Sequence, residues 1–347
     1  MAKVKLGDVA REYKSTVKDA VDLPNVGLEH LTPGEIELTQ WSEDNDNTFT
    51  KGFKKGHLLF GRRRAYLKKA AVAPFDGICS GDITVIEAIP EKILPELLPF
   101  VIQNDRLFDY AVEKSAGSLS PRVKWEHLKN YEFELPESGQ QKELVDLLWA
   151  MTRAKKAYQN LLRQTDELVK SQFIEMFGGE VEYDIKPLSE VSEIMAGGDK
   201  PKDNSEIATE EYRYPVYANG VDNEGFQCFA KEYRVGKPAV TISARGTIGA
   251  TFIRKPYFTP VVRLIAVIPN ASVNVTYLKY AIDSIGISGT GTSQQQLTVP
   301  NIKKEAIPVP PIELQIEFEQ LVEQSDISKS ELTQAISRID DMIKALL

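Results

Sequence analysis

Cysteine is scarce in this sequence and long apolar runs are absent, which excludes several classes of protein. The 347 residues include two cysteines, Cys79 and Cys228, so a disulfide framework is excluded and a reducing, cytoplasmic setting is expected. No apolar stretch approaches the roughly 18–20 residues that a membrane span needs. The residues after Met1 show no signal-peptide pattern. The three histidines and two cysteines lack metal-ligand spacing, so we expect no metal site.

Catalytic motifs are missing as well. The sequence contains no Asn-Pro-Pro-aromatic string of the kind found in amino-methyltransferases. It also contains no G-x-x-x-x-G-K-[ST] phosphate loop, which argues against an ATP-driven motor. The glycine-bearing residues 245–249 lack the G-x-G-x-x-G pattern of a dinucleotide site. We therefore expect no catalytic residue and no cofactor bound to this chain.

The acidic charge is concentrated in one segment. The formal net charge is −8, which is unusual for a protein that binds nucleic acid. Residues 313–347 hold eight acidic and three basic residues, so most of the excess lies there. The remaining parts are close to neutral, and each is able to carry a local basic face.

The sequence repeats itself internally. Residues 115–137 read SAGSLSPRVKWEHLKNYEFELPE and residues 288–311 read SGTGTSQQQLTVPNIKKEAIPVPP. Each stretch begins with a Ser/Gly/Thr loop, passes to a Leu-Pro or Val-Pro end and continues into a segment that contains glutamine. Further matches follow in the same order: 4–10 with 185–191, 55–63 with 235–245, 82–90 with 262–269, Pro136 with Pro310, and Gln141 with Gln315. This order predicts a duplicated fold.

Each half combines short strands with one long helix. Apolar runs at 58–60, 83–88, 239–243 and 264–268 are bounded by glycine, proline or charge, which predicts strands. The fold class is therefore α+β, with two mixed, β-rich domains and a pseudo-two-fold internal repeat. The predicted boundaries are 1–138 for the first domain, 139–180 for a central helix, 181–312 for the second domain and 313–347 for a C-terminal helix.

The two long helices carry heptad patterns. The predicted seam of the first is Leu144, Leu147, Met151, Ala154, Tyr158, Leu161, Thr165 and Leu168. That of the second is Leu314, Phe318, Leu321, Ser325, Ser328, Leu332, Ala335, Ile339, Met342 and Leu346. Seams of this length require a helical partner, so we expect the helices to pair antiparallel as a coiled coil. The outer apolar positions would be Leu148, Leu162, Val322, Ile336 and Ile343.

This alternation of domain and helix over the whole chain resembles the specificity subunit of type I restriction–modification enzymes. The strings LFGRRRAYLKK and ISARGTIG, at 59–69 and 242–249, are similar to segments of the family's target-recognition domains. The resemblance implies a non-catalytic subunit that binds double-stranded DNA, each domain reading one half of an asymmetric bipartite target. It also implies two modification subunits, which bring the S-adenosylmethionine, and leaves room for restriction subunits.

In the first half, basic residues crowd into one region. Lys51, Lys54 and Lys55 precede the run Arg62-Arg63-Arg64, and Tyr66, Lys68 and Lys69 follow it. If 59–67 is a strand, Arg62 and Arg64 share one face and are able to read base edges, because arginine pairs bidentately with guanine. The candidate DNA contacts of this half are Arg62, Arg63, Arg64, Tyr66, Lys68, Lys69, Ser118, Ser120, Arg122 and Lys124. A solvated charged strand is the competing interpretation.

In the second half, amides and hydroxyls replace most of the charges. The candidate contacts are Tyr217, Asn219, Ser243, Arg245, Thr247, Thr290, Thr292, Ser293, Gln294 and Gln295. The Ser/Gly/Thr loops of both halves offer short donors that are able to approach phosphates, although a plain solvated loop is an equal interpretation for 294–296. Two other functions remain open: a specificity-like subunit of another methyltransferase class, and a coiled-coil scaffold whose end domains bind proteins.

Overall fold

The computed structural model describes residues 2–17, 23–44, 47–179, 182–287 and 296–347. The chain divides into two compact units. The first unit holds Met1–Tyr158 and Gln334–Leu347, and the second holds Gln159–Thr333. Each unit thus contains one β-rich part together with a segment of both long helices. No helix in the described part of the chain is long and apolar enough to cross a membrane.

The first unit is α+β, as expected. Its strands are β1 Ala2–Lys5, β2 Ala10–Glu12, β3 Asn25–Val26, β4 Lys51–Phe53, β5 Leu58–Gly61, β6 Ala70–Val72, β7 Gly77–Cys79, β8 Ile83–Ala88 and β9 Glu132–Leu135. Its helices are α1 Leu6–Val9, α2 Leu98–Gln103, α3 Asp105–Glu113, α4 Trp125–Leu128 and the first half of α5, Ser138–Phe177. The described strands form a four-stranded sheet in the order β2-β8-β5-β6, a three-stranded sheet β3-β7-β4 and the pair β1-β9.

The second unit repeats this plan. Its strands are β10 Ile185–Pro187, β11 Ser192–Ala196, β12 Tyr214–Tyr217, β13 Phe226–Ala230, β14 Ala239–Ile242, β15 Thr251–Arg254, β16 Thr259–Pro260, β17 Ile265–Pro269 and β18 Ala306–Pro308. Its helices are α6 Leu188–Val191, α7 Val275–Ser284, α8 Val299–Ile302 and α9 Ile312–Leu346, whose last part belongs to the first unit.

The sheets show how far the repeat extends. The four-stranded sheet of the second unit has the order β11-β17-β14-β15, which is that of the first unit strand for strand. Both units also pair their first strand with the strand that precedes the long helix, β1 with β9 and β10 with β18. The small sheets differ: β4 pairs with β7 in the first unit, whereas β13 pairs with β12 in the second. The predicted duplication is confirmed in the large sheets.

A buried glutamine closes each unit at the start of its long helix. Gln141 accepts a hydrogen bond from the Leu94 N–H at 2.9 Å and donates to the Pro136 carbonyl at 3.0 Å. In the second unit, Gln315 accepts from the Asn274 N–H at 2.8 Å and donates to the Pro310 carbonyl at the same distance. Buried amides need partners, and these two find equivalent ones. The Pro/Gln match seen in the sequence is therefore a shared structural device.

The long helices pack antiparallel within each unit. In the second unit, Phe173 of α5 lies 5.4 Å from Phe318 of α9 between ring centroids, and Asp166 pairs with Lys329 at 3.1 Å. Positions therefore rise along one helix as they fall along the other. In the first unit, Lys155 pairs with Asp340 at 2.7 Å. The helix α5 is 40 residues long and ends before Gly178-Gly179, as predicted, and α9 has 35 residues.

The predicted heptad seam is only half right. In α5, the fully buried positions are Gln141, Val145, Leu148, Val169, Phe173 and Phe177, whereas Leu147, Leu161 and Leu168 are exposed. In α9, Phe318 is buried as predicted, but its partners are Gln315 and Val322. Leu148 and Val322, which were expected on the outside, therefore lie in the cores, and Leu162, Ile336 and Ile343 are half-buried. The sheets and short helices of each unit cover this side of the helices.

Candidate nucleic-acid interface

The strand predicted to carry the three arginines ends before it reaches them. Strand β5 stops at Gly61, opposite Ile83 of β8. Arg64 adopts a left-handed conformation (φ 54°), and a 3₁₀ turn at Ala65–Leu67 follows, with Ala65 buried in the core. The interpretation that Arg62 and Arg64 share a strand face is therefore wrong. The chain leaves the sheet because burying Ala65 turns it inward.

Asp82 organises the arginine segment. Its carboxylate accepts from Arg122 Nε at 2.7 Å and from Arg63 Nη1 at 3.3 Å, and Arg63 Nη2 donates to the Ser120 hydroxyl at 3.0 Å. The hydrogen bond and charge of Arg122, together with Arg63, lower the pKa of the Asp82 carboxyl below its ordinary value. Because one acid holds two cations, the guanidinium groups stay in place on a surface that is positive overall.

The Ser/Gly loop of the first unit lies directly against this segment. Ala116 and Arg122 exchange two backbone hydrogen bonds of 3.0 Å, which close the loop. The Arg64 N–H donates to the Pro121 carbonyl at 2.8 Å, and the Val123 N–H donates to the Arg62 carbonyl at 3.0 Å. Two segments that are about 60 residues apart therefore form one surface, with Ser118 and Leu119 exposed at the loop tip.

The remaining basic candidates divide into free and engaged side chains. Arg64, Tyr66 and Lys124 are exposed. Lys68 instead pairs with Asp105 at 2.6 Å, and Lys69 donates to the Leu28 carbonyl at 2.7 Å. Of the lysines that precede the arginine run, Lys51 donates to the Ile83 carbonyl and Lys54 pairs with Asp76. The Nε atoms of Arg62 and Arg63 are buried and have no hydrogen-bond partner within the described residues.

In the second unit, the loop after β14 carries the exposed candidates. Arg245 and Thr247 are exposed, whereas Ser243 is buried. Asn219 supports this loop from below, because its side chain accepts from the Ala244 N–H and donates to the Val262 carbonyl, both at 2.7 Å. The geometry gives Asn219 and Ser243 a supporting position and Arg245 and Thr247 an accessible one.

Tyr217 is occupied by a buried arginine. The guanidinium carbon of Arg254 lies 3.8 Å from the centroid of the Tyr217 ring, and Arg254 also pairs with Glu224 at 2.8 Å. Its Nε donates to the Thr241 hydroxyl at 3.0 Å. Burial lowers the pKa of Arg254. The contacts of Tyr217 and Arg254 are thus internal, and neither presents a free polar face.

The second Ser/Gly/Thr loop falls mostly outside the described residues. The candidates Thr290, Thr292, Ser293, Gln294 and Gln295 lie there. Directly after it, the Leu297 N–H donates to the Ala244 carbonyl at 3.1 Å, and Arg245 Nη2 donates to the Gln296 side chain at 3.1 Å. The first of these bonds corresponds to the hydrogen bond from the Val123 N–H to the Arg62 carbonyl in the first unit. Both units therefore join the loop after the central strand to the segment that leads into the helix.

Two residues at a shared turn were missed in the sequence. Asp82 stands in the turn between β7 and β8, and Arg263 stands in the matching turn between β16 and β17. Arg263 is exposed and has a positive φ of 66°, and Val262 before it has a positive φ of 51°. A positive φ is uncommon for any residue other than glycine and is strained for valine. The Ser-Gly-Asp string before β8 indicates a turn, but the sequence does not indicate that Arg63 and Arg122 bind Asp82, because only the fold brings them together.

Comparison with known proteins finds a family that part of this chain resembles. The family described as type I restriction modification DNA specificity domain matches residues 180–338. Two proteins of Mycoplasma pneumoniae named as type I specificity subunits are 35% identical over 137 residues and 32% identical over 138 residues. These matches cover 39% and 40% of this chain. The chain is therefore similar to type I restriction–modification specificity subunits.

The chain spans about two fifths of the curated relatives it matches, 41% and 38% of the two Mycoplasma proteins. The EcoDI type I restriction enzyme specificity subunit of Escherichia coli is 26% identical over 188 residues, half of this chain. Among solved structures, the specificity subunit of M. genitalium matches with a TM-score of 0.61 and 14% identity, covering 100% of this chain and 96% of that one. A chain from a study of type I system assembly and conformational transition gives 0.60 and 19%, with 99% and 96% coverage. These two likenesses show the fold.

The long helices of this chain expose apolar side chains in both units. In the second unit these are Leu161, Leu168, Ile174, Ile316 and Ile327, and in the first they are Leu147, Met342 and Leu346. Leu161 and Leu168 lie one heptad apart, so they share one face of α5. The residues that the sequence predicted for the seam thus include several that face outward. This exchange of inner and outer positions leaves each unit with an apolar helical surface.

Proposed function

We propose that this chain is the non-catalytic DNA-recognition subunit of a type I restriction–modification complex, and that each unit reads one half of an asymmetric bipartite target. One observation carries the proposal. In both units the loop after the central strand is joined by an equivalent backbone hydrogen bond to the segment that leads to the long helix, yet the exposed side chains differ. A repeated scaffold with different side chains suits two half-sites of different sequence. The names of the relatives support the same role.

The exposed groups have chemistry suited to DNA. In the first unit, Arg64 is accessible beside the pair Arg63 and Arg122, and guanidinium groups bind both guanine edges and phosphates. In the second unit, the exposed Arg245 stands beside Gln296, and an amide pairs well with adenine. We infer that the first half-site is read mainly through arginine and the second through a mixture of arginine, hydroxyl and amide groups.

The exposed helical surfaces suit protein partners. When a partner covers an exposed leucine or isoleucine, the burial stabilises the complex by about 25 cal/mol per Å² of apolar area. Leu161 and Leu168 form such a surface in the second unit, and Leu147 and Met342 contribute one in the first. We propose that two modification subunits dock on these helical surfaces and bring S-adenosylmethionine with them. The proposed assembly acts on DNA in the cytoplasm and leaves room for a restriction subunit.

The proposal is tested by the DNA of cells that express the chain with its modification subunits. Methylation-sensitive sequencing should reveal one bipartite motif that is absent when this chain is omitted. In vitro, affinity for that motif should fall steeply with salt, because phosphate contacts release counterions. The logarithm of the binding constant should fall by about 0.9 per phosphate contact for each tenfold rise in salt concentration. A protein scaffold would leave methylation unchanged and show no such slope. A partner methyltransferase of another class would yield an unbroken motif.

A further inference from the structure

Leu119 stands at the tip of the Ser/Gly loop in the first unit, and 90% of it is exposed. It is the most exposed large apolar side chain in the described part of the chain. Its neighbours on both sides are serines, and Ser118 is also exposed. A leucine in this position gains nothing from folding, because it removes almost no apolar surface from water. Turn tips ordinarily carry glycine, asparagine, aspartate or serine.

The loop holds this leucine in a defined place. Gly117 has a φ of 116°, a conformation that a side-chain-bearing residue rarely adopts, and it begins the turn. On the far side, Ser120 accepts from Arg63, and the Pro121 carbonyl accepts from the Arg64 N–H. The two backbone hydrogen bonds between Ala116 and Arg122 close the base of the loop. The tip therefore projects from a fixed stem.

The surroundings of Leu119 indicate what it touches. The stem is built from Arg63 and Arg122, whose guanidinium groups meet at Asp82, and Arg64 is exposed beside them. This apolar tip stands in a surface where the guanidinium groups of Arg63, Arg64 and Arg122 outnumber the one carboxylate of Asp82, and such a net positive surface attracts a polyanion. It fits DNA well, because phosphates meet the arginines and the major groove displays one apolar group, the C5-methyl of thymine.

We propose that Leu119 contacts the C5-methyl group of a thymine in the half-site read by the first unit, and so determines specificity at that base pair. This proposal rests on the proposed DNA-recognition function. It adds a specificity position that no arginine, amide or hydroxyl supplies. It also requires that at least one thymine lies in that half-site, on either strand.

The test replaces thymine methyl groups one at a time. The full complex with its modification subunits is bound to its selected duplex, in which each thymine is changed singly to deoxyuridine, and the affinities are measured. Deoxyuridine keeps every hydrogen-bonding group and removes only the methyl. We expect one deoxyuridine substitution to weaken wild-type binding about threefold to fivefold, the range for loss of one buried methyl. The same substitution should not affect Leu119→Ser.

Two variants separate the contact from indirect effects. Leu119→Met keeps an apolar side chain of similar reach and should keep the deoxyuridine penalty. Val112→Ala, which shortens another exposed apolar residue of the same unit, should bind both duplexes as wild type does. The sensitive thymine must lie in the half-site whose preferences change in Arg64→Ala. The inference is overturned if no deoxyuridine weakens wild-type binding, or if Leu119→Ser retains the penalty. Wild-type complex without any preferred sequence would instead overturn the proposed function.

Discussion

At the residue scale, the candidate surface of the first unit depends on one carboxylate. Asp82 belongs to a turn, and its carboxylate binds Arg122 and Arg63, which are 40 and 19 positions away. A charge-assisted contact of this kind is stronger than a neutral one. Asp82 is thereby the link between the arginine segment and the Ser/Gly loop, and its loss should be felt in both.

Asp82→Asn should destabilise the first unit in a pH-dependent way. The pKa of Asp82 is lowered in the folded state, so its contribution to stability is full above the unfolded pKa of about 3.9 and is lost as pH falls through the lower, folded value. At pH 7 the variant should lose about 1–2 kcal/mol, and the difference from wild type should shrink below about pH 4. Denaturant unfolding from pH 7 to pH 3 measures this. The exposed Asp109→Asn is the control, and a pH-independent difference would contradict the account.

Much of this surface was visible in the sequence, but its geometry was not. The density of lysine and arginine at residues 51–69 marked the region correctly as basic. The strand interpretation failed because Ala65 is buried, which turns the chain at Arg64. The engagement of Lys68 and Lys69 depends on Asp105 and the Leu28 carbonyl, which only the fold brings close. Local pattern identifies residue types, whereas long-range contacts decide which of them remain free.

At the element scale, the paired glutamines explain how a strand end is fastened to a long helix. Gln315 makes one more hydrogen bond than Gln141, because its amide also donates to the Ser272 carbonyl at 3.1 Å. Both side chains are buried, so removing either one leaves its hydrogen-bond partners unpaired and out of contact with water. An unpaired buried polar group costs about 1–3 kcal/mol.

Gln315→Ala should therefore cost about 3 kcal/mol of stability, and Gln141→Ala about 2 kcal/mol. The first leaves the Asn274 N–H and two carbonyls without their partner, and the second leaves the Leu94 N–H and one carbonyl. Urea unfolding of each variant, monitored with a spectroscopic probe in the unit that carries the substitution, measures both losses. Gln140→Ala and Gln320→Ala are exposed controls on the same helices. Equal stability of Gln315→Ala and Gln320→Ala would refute the structural role of the glutamine.

The helices show where pattern reading reaches its limit. The existence of both helices, the glycine stop of α5 and their antiparallel packing were predictable from length, periodicity and the Gly178-Gly179 pair. Their buried side was not, because leucine and valine occur in adjacent pairs such as Leu147-Leu148, Leu161-Leu162 and Leu168-Val169. Two overlapping heptads then fit the sequence equally well. The core of each unit decides between them, because Leu148 and Val169 are buried in it and Leu147 and Leu168 are left outside.

At the scale of the whole molecule, we propose that the length of the paired helices sets the spacing between half-sites. Deleting residues 154–160 and 335–341 together removes one heptad from each helix and both partners of the Lys155–Asp340 pair. Each helix shortens by about 10 Å, so the preferred half-sites should move closer by up to about three base pairs, with unchanged bases in each. Binding selection from duplexes of varied spacing measures this.

A deletion that breaks the heptad phase is the control for this experiment. Removing two residues from each helix rotates the buried face by more than half a turn, because each residue turns the helix by about 100°. That variant should lose specific binding at every spacing. If the heptad deletion still selects the original spacing, the helices do not set the distance.

The most direct test of the account is to alter one exposed candidate arginine in each unit and to select binding sites again. Complexes containing wild type, Arg64→Ala or Arg245→Ala are presented with a random duplex library. We predict that wild type selects two separated blocks of bases, that Arg64→Ala relaxes preference in one block, and that Arg245→Ala relaxes it in the other, by roughly 1–3 kcal/mol at the affected base pair. A single continuous block, or two variants that relax the same block, would contradict the claim that each unit reads its own half-site.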